Sequence, residues 1–262
     1  YGICNIPVDR WINARWQDGS VKWAAFSALI PKGVNATTLK VGYGQHVKHK
    51  LVDISKNGII VNTGDMKVLF PRHGNSFMDY IIYKGIKVAD MGRVVASTSL
   101  SSYKSVIDTS YIENSGDVRA VVRVNGHMIG DKESNMTLPF TLRFYLYYGS
   151  EQIRIQHSFV YDGNQNNDFI KSLGLQFDVP FRETVYNRHV AFSFDKDSVW
   201  TEPVQPLDGR RELNRDHNYL SDQMNGLRIP EYATFDEEQK KLLDDWAVWD
   251  GFRLSQLNDG SF

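Results

Sequence analysis

Four consecutive side chains bring together groups that can bind an anion and transfer a proton. They are Tyr186, Asn187, Arg188 and His189. A guanidinium pairs with a carboxylate through two parallel hydrogen bonds, and histidine or tyrosine transfers protons when its surroundings shift its pKa. In an extended segment alternate residues face opposite sides, so the four groups converge only where the chain bends. A catalytic set and a hydrogen-bonded loop cap are both open interpretations of this segment.

Two other places offer side chains that could hold a substrate. Arg72 and His73 lie in the sequence Pro-Arg-His-Gly between two predicted strands, where a turn would present them together. Trp249 belongs to a series of aromatic residues near the end of the chain, and its ring could form a platform for a sugar. The alternatives are a solvated turn for the Arg-His pair and a place in a helical core for Trp249.

A predicted hairpin over residues 138–163 organises the rest of the chain. Apolar and polar residues alternate over two runs separated by Gly149 and Ser150, which is typical of two antiparallel strands. The apolar face must pack on a second layer, because an isolated hairpin is only marginally stable. The other face carries Arg143, Tyr145, Tyr147, Arg154 and Gln156. This face is either solvated or lines a groove for a polar, anionic polymer.

The segment from Asp162 to Asp168 has oxygen-bearing side chains at alternate positions, of the kind that Ca²⁺ accepts. It lacks the downstream glutamate of a helix-loop-helix calcium site, and Asn, Gly and Asp are also ordinary turn residues. We therefore expect a plain loop, and we predict no metal and no other cofactor.

The spacing of the remaining elements predicts a mostly β chain. Short alternating strands follow one another with regular turns, which favours an antiparallel β-sandwich. Asp18-Gly19 predicts a tight hairpin near the start of the chain. The period changes near the end, where Asp236 is a suitable helix N-cap and an apolar stripe follows at helical spacing. The sequence thus predicts a helix over residues 235–257.

Composition and charge exclude several classes of function. The chain has 262 residues and a formal charge of -1, so no global field favours nucleic acid or an anionic membrane. No run of about 18 apolar residues predicts a membrane span. Aromatic residues make up 13%, as in proteins that stack rings on sugars. Because the sequence begins at Tyr1 without a methionine, we expect a piece of a longer, processed protein that is secreted or periplasmic.

Several phrases of the sequence resemble one protein family. They are the segments 15–23 (RWQDGSVKW), 148–150 (YGS), 186–190 (YNRHV) and 249–253 (WDGFR). Together they are similar to the exo-rhamnogalacturonan lyase-like proteins, that is, polysaccharide lyase family 26 and its uncharacterised bacterial relatives. Those proteins combine a small N-terminal β-barrel, a central β-sandwich of the supersandwich type and a C-terminal α/α toroid.

The resemblance implies a division of the chain into three parts. Residues 1–50 would be the end of the barrel, residues 51–230 the sandwich, and residues 231–262 the first helix of a truncated α/α domain. The missing C-terminal helical domain of the same chain would be one partner of the sandwich, and a polysaccharide or oligosaccharide would be the other. A fragment without the helical domain is expected to be inactive.

The resemblance also implies β-elimination at galacturonic acid in rhamnogalacturonan-type pectin. That reaction needs a cation for the C6 carboxylate, a base for the C5 proton and an acid for the oxygen that leaves C4. On this reading Tyr186, Asn187, Arg188 and His189 are catalytic candidates. The alternative functions are a non-catalytic carbohydrate-binding module and a structural sandwich that supports a helical domain with another activity, such as glycoside hydrolysis.

Overall fold

The computed structural model divides into two compact units, Tyr1–Pro180 and Phe181–Phe262. The residues that it describes are 6–30, 40, 42, 48–132, 136–182, 188–193, 199–203, 237, 251–256 and 260–261. Among them, no helix is both long and apolar enough to cross a membrane.

The first unit begins with the predicted hairpin. Strands β1 (Val8–Arg15) and β2 (Val21–Ala28) pair antiparallel. In the turn between them Gly19 has a φ of +83°, in the left-handed region that favours glycine. The Asp18 carboxylate accepts hydrogen bonds from the side chain and backbone of Ser20, which hold the pKa of Asp18 below its usual value. The Asp-Gly turn signal is therefore confirmed.

The described residues of the first unit also form a ten-stranded antiparallel sheet. Its strands are β3 (Val52–Ile54), β4 (Gly58–Asn62), β5 (Met66–Pro71), β6 (Met78–Tyr83), β7 (Ile86–Thr98), β8 (Ser102–Ser115), β9 (Arg119–Gly130), β10 (Phe140–Tyr147), β11 (Ile153–Phe159) and β12 (Ile170–Asp178). Strands β3 to β11 follow one another in space as they do in sequence, and β12 pairs with β7. Strand β11 is therefore at one end of the strand order among the described residues.

The sheet folds over so that its two ends face each other. Strands β5 and β10 are far apart in strand order, yet the rings of Phe70 and Phe144 lie 4.8 Å apart between centroids. Phe77 contacts the same Phe144 ring at 5.4 Å. The turns at the two ends also bond, because the Gly149 amide donates to the Thr63 carbonyl at 2.7 Å. The result is a sandwich of two layers around one core, as the sequence predicts.

The core follows the predicted alternation along β10. Phe140, Leu142, Phe144 and Leu146 are at most 4% exposed, and the residues between them are only half-buried. Burial of a large apolar side chain contributes about 1.5–3 kcal/mol, so these four positions hold the register of the strand. On β11, Ile153 and Ile155 pack against the same core while the strand runs along its margin.

His157 lies on the apolar side of β11, with its ring edge-on to Phe140 at 6.0 Å. Its Nε2 atom is buried and has no hydrogen-bond partner among the described residues. Burial without a partner disfavours the charged imidazolium and lowers the pKa of His157 below its usual value.

The Asp9 carboxylate joins the first hairpin to the sandwich. Asp9 accepts hydrogen bonds from three successive backbone amides, those of Asp117, Val118 and Arg119, at 2.6–2.8 Å. A side chain on Gly116 would place its Cβ 2.2 Å from the carboxyl carbon of Asp9, so only glycine permits this approach.

The second unit contains a separate four-stranded sheet. Strands β13 (Arg188–Ser193), β14 (Val199–Pro203), β15 (Gly251–Gln256) and β16 (Gly260–Ser261) lie in the order β14-β13-β15-β16. The predicted helix over residues 235–257 is wrong over residues 251–256, which form β15. All six residues of β15 pair with β13, a distant segment that the apolar period cannot reveal. Glu237 is helical, and the other residues between 235 and 250 lie outside the described part.

We expect His157 to make stability fall at acid pH. Its lowered native pKa means that the unfolded chain takes up a proton more readily, so stability is full above the unfolded pKa of about 6.5 and declines below it. His157→Leu should lose less unfolding free energy than the wild type between pH 8 and pH 5.5 in urea titrations. The control is His127→Gln, at a more exposed position, which should lose as much unfolding free energy over this pH range as the wild type does. An unchanged acid-side loss in His157→Leu would contradict the assignment.

Replacing Asp9 with Asn should destabilise the first unit. The substitution removes the charge from an acceptor of three backbone amides, which we expect to cost about 1–3 kcal/mol of unfolding free energy. Asp53→Asn is the matched control, because Asp53 makes an exposed ion pair with Lys50 that contributes about 0–1 kcal/mol. Urea unfolding measures both variants. Equal stability of the two would show that the Asp9 contacts do not hold the hairpin.

Candidate functional site

The outer side of strands β8 to β11 is polar, and we call it the polar face. Because alternate residues of a strand point to one side, the residues between the buried positions of these strands point outward together. The polar face consists of Asp108, Tyr111, Glu113, Arg119, Arg123, Asn125, His127, Thr141, Arg143, Tyr145, Tyr147, Arg154 and Gln156.

One row of the polar face crosses all four strands. The register places Tyr111, Arg123, Arg143 and Gln156 directly opposite one another from β8 to β11. Two adjacent guanidiniums would repel each other, and Glu113 lies between them. Arg143 donates from Nε to Glu113 at 2.7 Å, and an Arg123 nitrogen lies 4.0 Å from the other carboxylate oxygen. The hydrogen bond to Glu113 raises the pKa of Arg143.

The next row places Tyr145 opposite Arg154 on the terminal strand. The Tyr145 hydroxyl donates to the Gln156 amide oxygen at 3.1 Å, and the Arg154 guanidinium lies 5.5 Å from the centre of the Tyr145 ring. Arg154 and Gln156 are exposed. The sequence prediction that Tyr145, Arg154 and Gln156 share a face with Arg143 is confirmed.

Tyr147 lies at the other end of the polar face, opposite Arg119 on β9. The first hairpin reaches this end, where the Arg119 guanidinium lies 3.7 Å from the centre of the Trp11 ring. The Nε atom of Arg119 is buried and makes no hydrogen bond among the described residues. The guanidinium is therefore positioned by the indole ring of Trp11, and the Arg119 backbone by its hydrogen bond to Asp9.

Histidines meet one aspartate at the far corner of the polar face. His73 lies in the turn after β5, and its Nδ1 is 2.5 Å from the Asp108 carbonyl oxygen. The His127 Nδ1 lies 2.9 Å from the Asp108 carboxylate. Asp108 is the extra residue where the register of β8 shifts between Ile107 and Thr109. Bulges of this kind re-aim side chains and often adjoin functional sites.

The structure describes only some of the remaining predicted site residues. Arg72 is exposed in the turn beside His73, as the sequence predicts. Arg188 and His189 begin β13, and their backbones pair with Gln256 and Ser255. Tyr186, Asn187 and Trp249 lie outside the described residues. The catalytic role of the four consecutive residues 186–189 therefore stays a prediction.

The carboxylates of Asp162 and Asp168 accept hydrogen bonds from other groups of the chain. Asp162 accepts from the Thr137 hydroxyl and from the amides of Thr137 and Leu138. Burial acts to raise the pKa of Asp162, and these hydrogen bonds outweigh it and leave the pKa below its usual value. Asp168 accepts from the Asn164 amide at 2.8 Å. In the described part of the chain, no three His, Cys, Asp or Glu side chains are grouped as a metal site would require.

The sequence prediction did not include some members of the polar face. For two of them, Arg119 and Arg123, the sequence does contain an indication. Arg119 and Arg123 lie four residues apart in an apolar run, and in a strand this even spacing places them on one side. Glu113, Asp108 and His127 depend on bulges and on long-range pairing, and no local pattern indicates that they meet their partners.

Comparison with known proteins gives two family matches. A model for the PcRGLX-like protein central beta sandwich domain matches residues 51–262, and one for the PcRGLX-like N-terminal RIFT barrel domain matches residues 3–42.

The uncharacterized protein YetA of Bacillus subtilis (strain 168) is 30% identical over 261 residues, an alignment that covers 93% of this chain and 30% of YetA. The chain therefore spans less than a third of the length of this curated relative. The two family matches confirm the resemblance to rhamnogalacturonan lyase-like proteins. With most of its residues covered by the sandwich model, the chain belongs to the PcRGLX-like protein family.

Proposed function

We propose that this chain is part of a polysaccharide lyase-like protein that cleaves rhamnogalacturonan-type pectin by β-elimination at galacturonic acid. The observation that carries the proposal is the family match over residues 51–262. In this proposal the sandwich forms one wall of the substrate cleft, and a helical domain of the same natural chain forms the other. The 30% share of YetA that the chain spans is consistent with further domains of that kind in the relative.

The chemistry of β-elimination assigns roles to the candidate residues. The C5 proton of galacturonate is too weakly acidic to remove unless the C6 carboxylate is neutralised, and Arg188 would supply a permanent cation for that purpose. His189 and Tyr186 would act as the base at C5 and the acid at the leaving O4. Asn187 would contribute an amide for hydrogen bonding to the sugar.

The polar face supports an acidic glycan as the substrate. Arg119, Arg123, Arg143 and Arg154 carry four positive charges there, against two carboxylates from Asp108 and Glu113. A local excess of positive charge attracts an anionic polymer even though the whole chain has a formal charge of -1. Since pectin is too large to enter a cell intact, the protein would act after secretion or in a periplasm.

A lyase assay on the Arg188→Ala variant tests the proposal. The natural chain that carries this sequence is incubated with rhamnogalacturonan oligosaccharides, and the ultraviolet absorbance of the unsaturated uronate product is followed. Arg188→Ala should reduce turnover by at least about a hundredfold, because the carboxylate would no longer be neutralised in the transition state. Arg10→Ala, at an exposed position of β1, makes the same chemical change in the first hairpin and should keep wild-type turnover.

The two possible failures have different meanings. Wild-type turnover in Arg188→Ala, with product still formed, would remove Arg188 from the site and leave the reaction class intact. Absence of unsaturated product from the wild-type chain, under conditions where the oligosaccharide binds, would overturn the lyase proposal in favour of a carbohydrate-binding module.

A further inference from the structure

Arg154 differs from the other arginines of the polar face in what surrounds it. Arg123 and Arg143 share the carboxylate of Glu113, and Arg119 lies against Trp11. Arg154 has no carboxylate within 4 Å among the residues that the structure describes, and its side chain is exposed. Its described contact is with the ring of Tyr145, 5.5 Å from the guanidinium carbon.

The contact with Tyr145 prepares Arg154 to bind an anion. The ring restrains the guanidinium by a cation–π interaction, which does not consume any of its N–H donors. A restrained side chain loses less conformational entropy when a ligand binds than a freely rotating one does. The planar group is thus available for the two parallel hydrogen bonds that a carboxylate accepts.

Gln156 adds a neutral donor beside this cation. It lies two residues from Arg154 on the same strand, so both side chains point to the same side. Its amide oxygen already accepts the hydrogen bond from Tyr145, which leaves the amide NH2 group for an outside acceptor. A cation and an amide donor over an aromatic ring match the carboxylate and the hydroxyl oxygens of an acidic sugar.

These three residues lie at the margin of the described sheet. Strand β11 is the terminal strand in its order, and among the described residues β10 is the strand that pairs with it. The row that begins at Arg154 continues inward to Tyr145, and the adjacent row continues from Gln156 to Arg143 and Arg123. An extended glycan can follow these rows across the strands.

We propose that Arg154, Gln156 and Tyr145 form a uronate-binding subsite that holds an acidic glycan without cleaving it. Arg154 binds the sugar carboxylate, Gln156 donates to a ring or hydroxyl oxygen, and Tyr145 orients both. The subsite rests on the proposed function only for the choice of galacturonate as the sugar. Its binding does not depend on the residues proposed for β-elimination.

Binding of trigalacturonate to the natural chain, measured by isothermal titration calorimetry, tests the subsite. Arg154→Ala should weaken binding about tenfold or more, since a charge-assisted bidentate contact is lost. Arg154→Lys should lose part of that affinity, because it keeps the charge and loses the planar fork. Lys67→Ala removes the same charge from an exposed position on β5 and should bind like the wild type. The melting temperature of each variant verifies that the fold is retained.

The methyl ester of trigalacturonate is the matched ligand control. It keeps the sugar backbone and removes the charges, so the wild type should bind it at least about tenfold more weakly than the free acid. Equal binding of ester and acid, or wild-type affinity in Arg154→Ala, would overturn the subsite. Trigalacturonate is a piece of homogalacturonan and lacks the rhamnose of the proposed lyase substrate. Binding of trigalacturonate, together with no cleavage of rhamnogalacturonan, would sustain the subsite and count against the lyase.

Discussion

The period of two along β10 couples the inside of this sandwich to its outside. Phe144 reaches the opposite layer and contacts Phe70 and Phe77, and its neighbours Arg143 and Tyr145 must therefore point away from the core. A register slip of one residue would bury the guanidinium and expose the phenylalanine, at a cost of several kcal/mol for the buried charge. The polar face owes its composition to this constraint, because core packing decides which side chains remain outside.

The arginines of the polar face differ in the groups with which they pair. Arg123 and Arg143 are opposite each other in the register, and Glu113 lies where it reduces their repulsion. Arg154 lies on β11 in the adjacent row, outside this ion-pair group and opposite Tyr145. The same four-strand surface thus contains arginines that stabilise the fold and one that is exposed to a ligand. The number of arginines does not distinguish these two kinds, whereas the groups that each arginine contacts do.

Polar contacts between described residues join the first hairpin to the sandwich. The Asp9 carboxylate accepts hydrogen bonds from the backbone amides of Asp117, Val118 and Arg119, and Gly116 leaves the space that this approach needs. Trp11 then lies against Arg119 at the end of the polar face. A segment that matches the N-terminal RIFT barrel domain therefore contributes a side chain to the surface of the central sandwich. The two matched domains share this surface within the first unit.

Local pattern was sufficient for much of this fold. Alternation predicted β10, β11 and the side of the sheet on which Tyr145 and Arg154 lie, because the side-chain period of a strand is written in the strand itself. The Asp18-Gly19 turn was predictable for a similar reason, since glycine allows the positive φ that the hairpin needs. The family could be inferred from short phrases of the sequence, and the polymer substrate follows from that inference as a proposal.

Tertiary structure alone decided which distant groups meet. Residues 251–256 have an apolar spacing compatible with a helix, yet backbone pairing with β13, about sixty residues earlier in the chain, makes them a strand. His127 meets Asp108 because a bulge shifts the register of β8 between Ile107 and Thr109. Asp9 meets a turn more than 100 residues away. Sequence by itself determined the strands and their faces, since these depend on neighbours along the chain. The partners of each strand and side chain depend on long-range hydrogen bonds, which only the folded chain brings within reach.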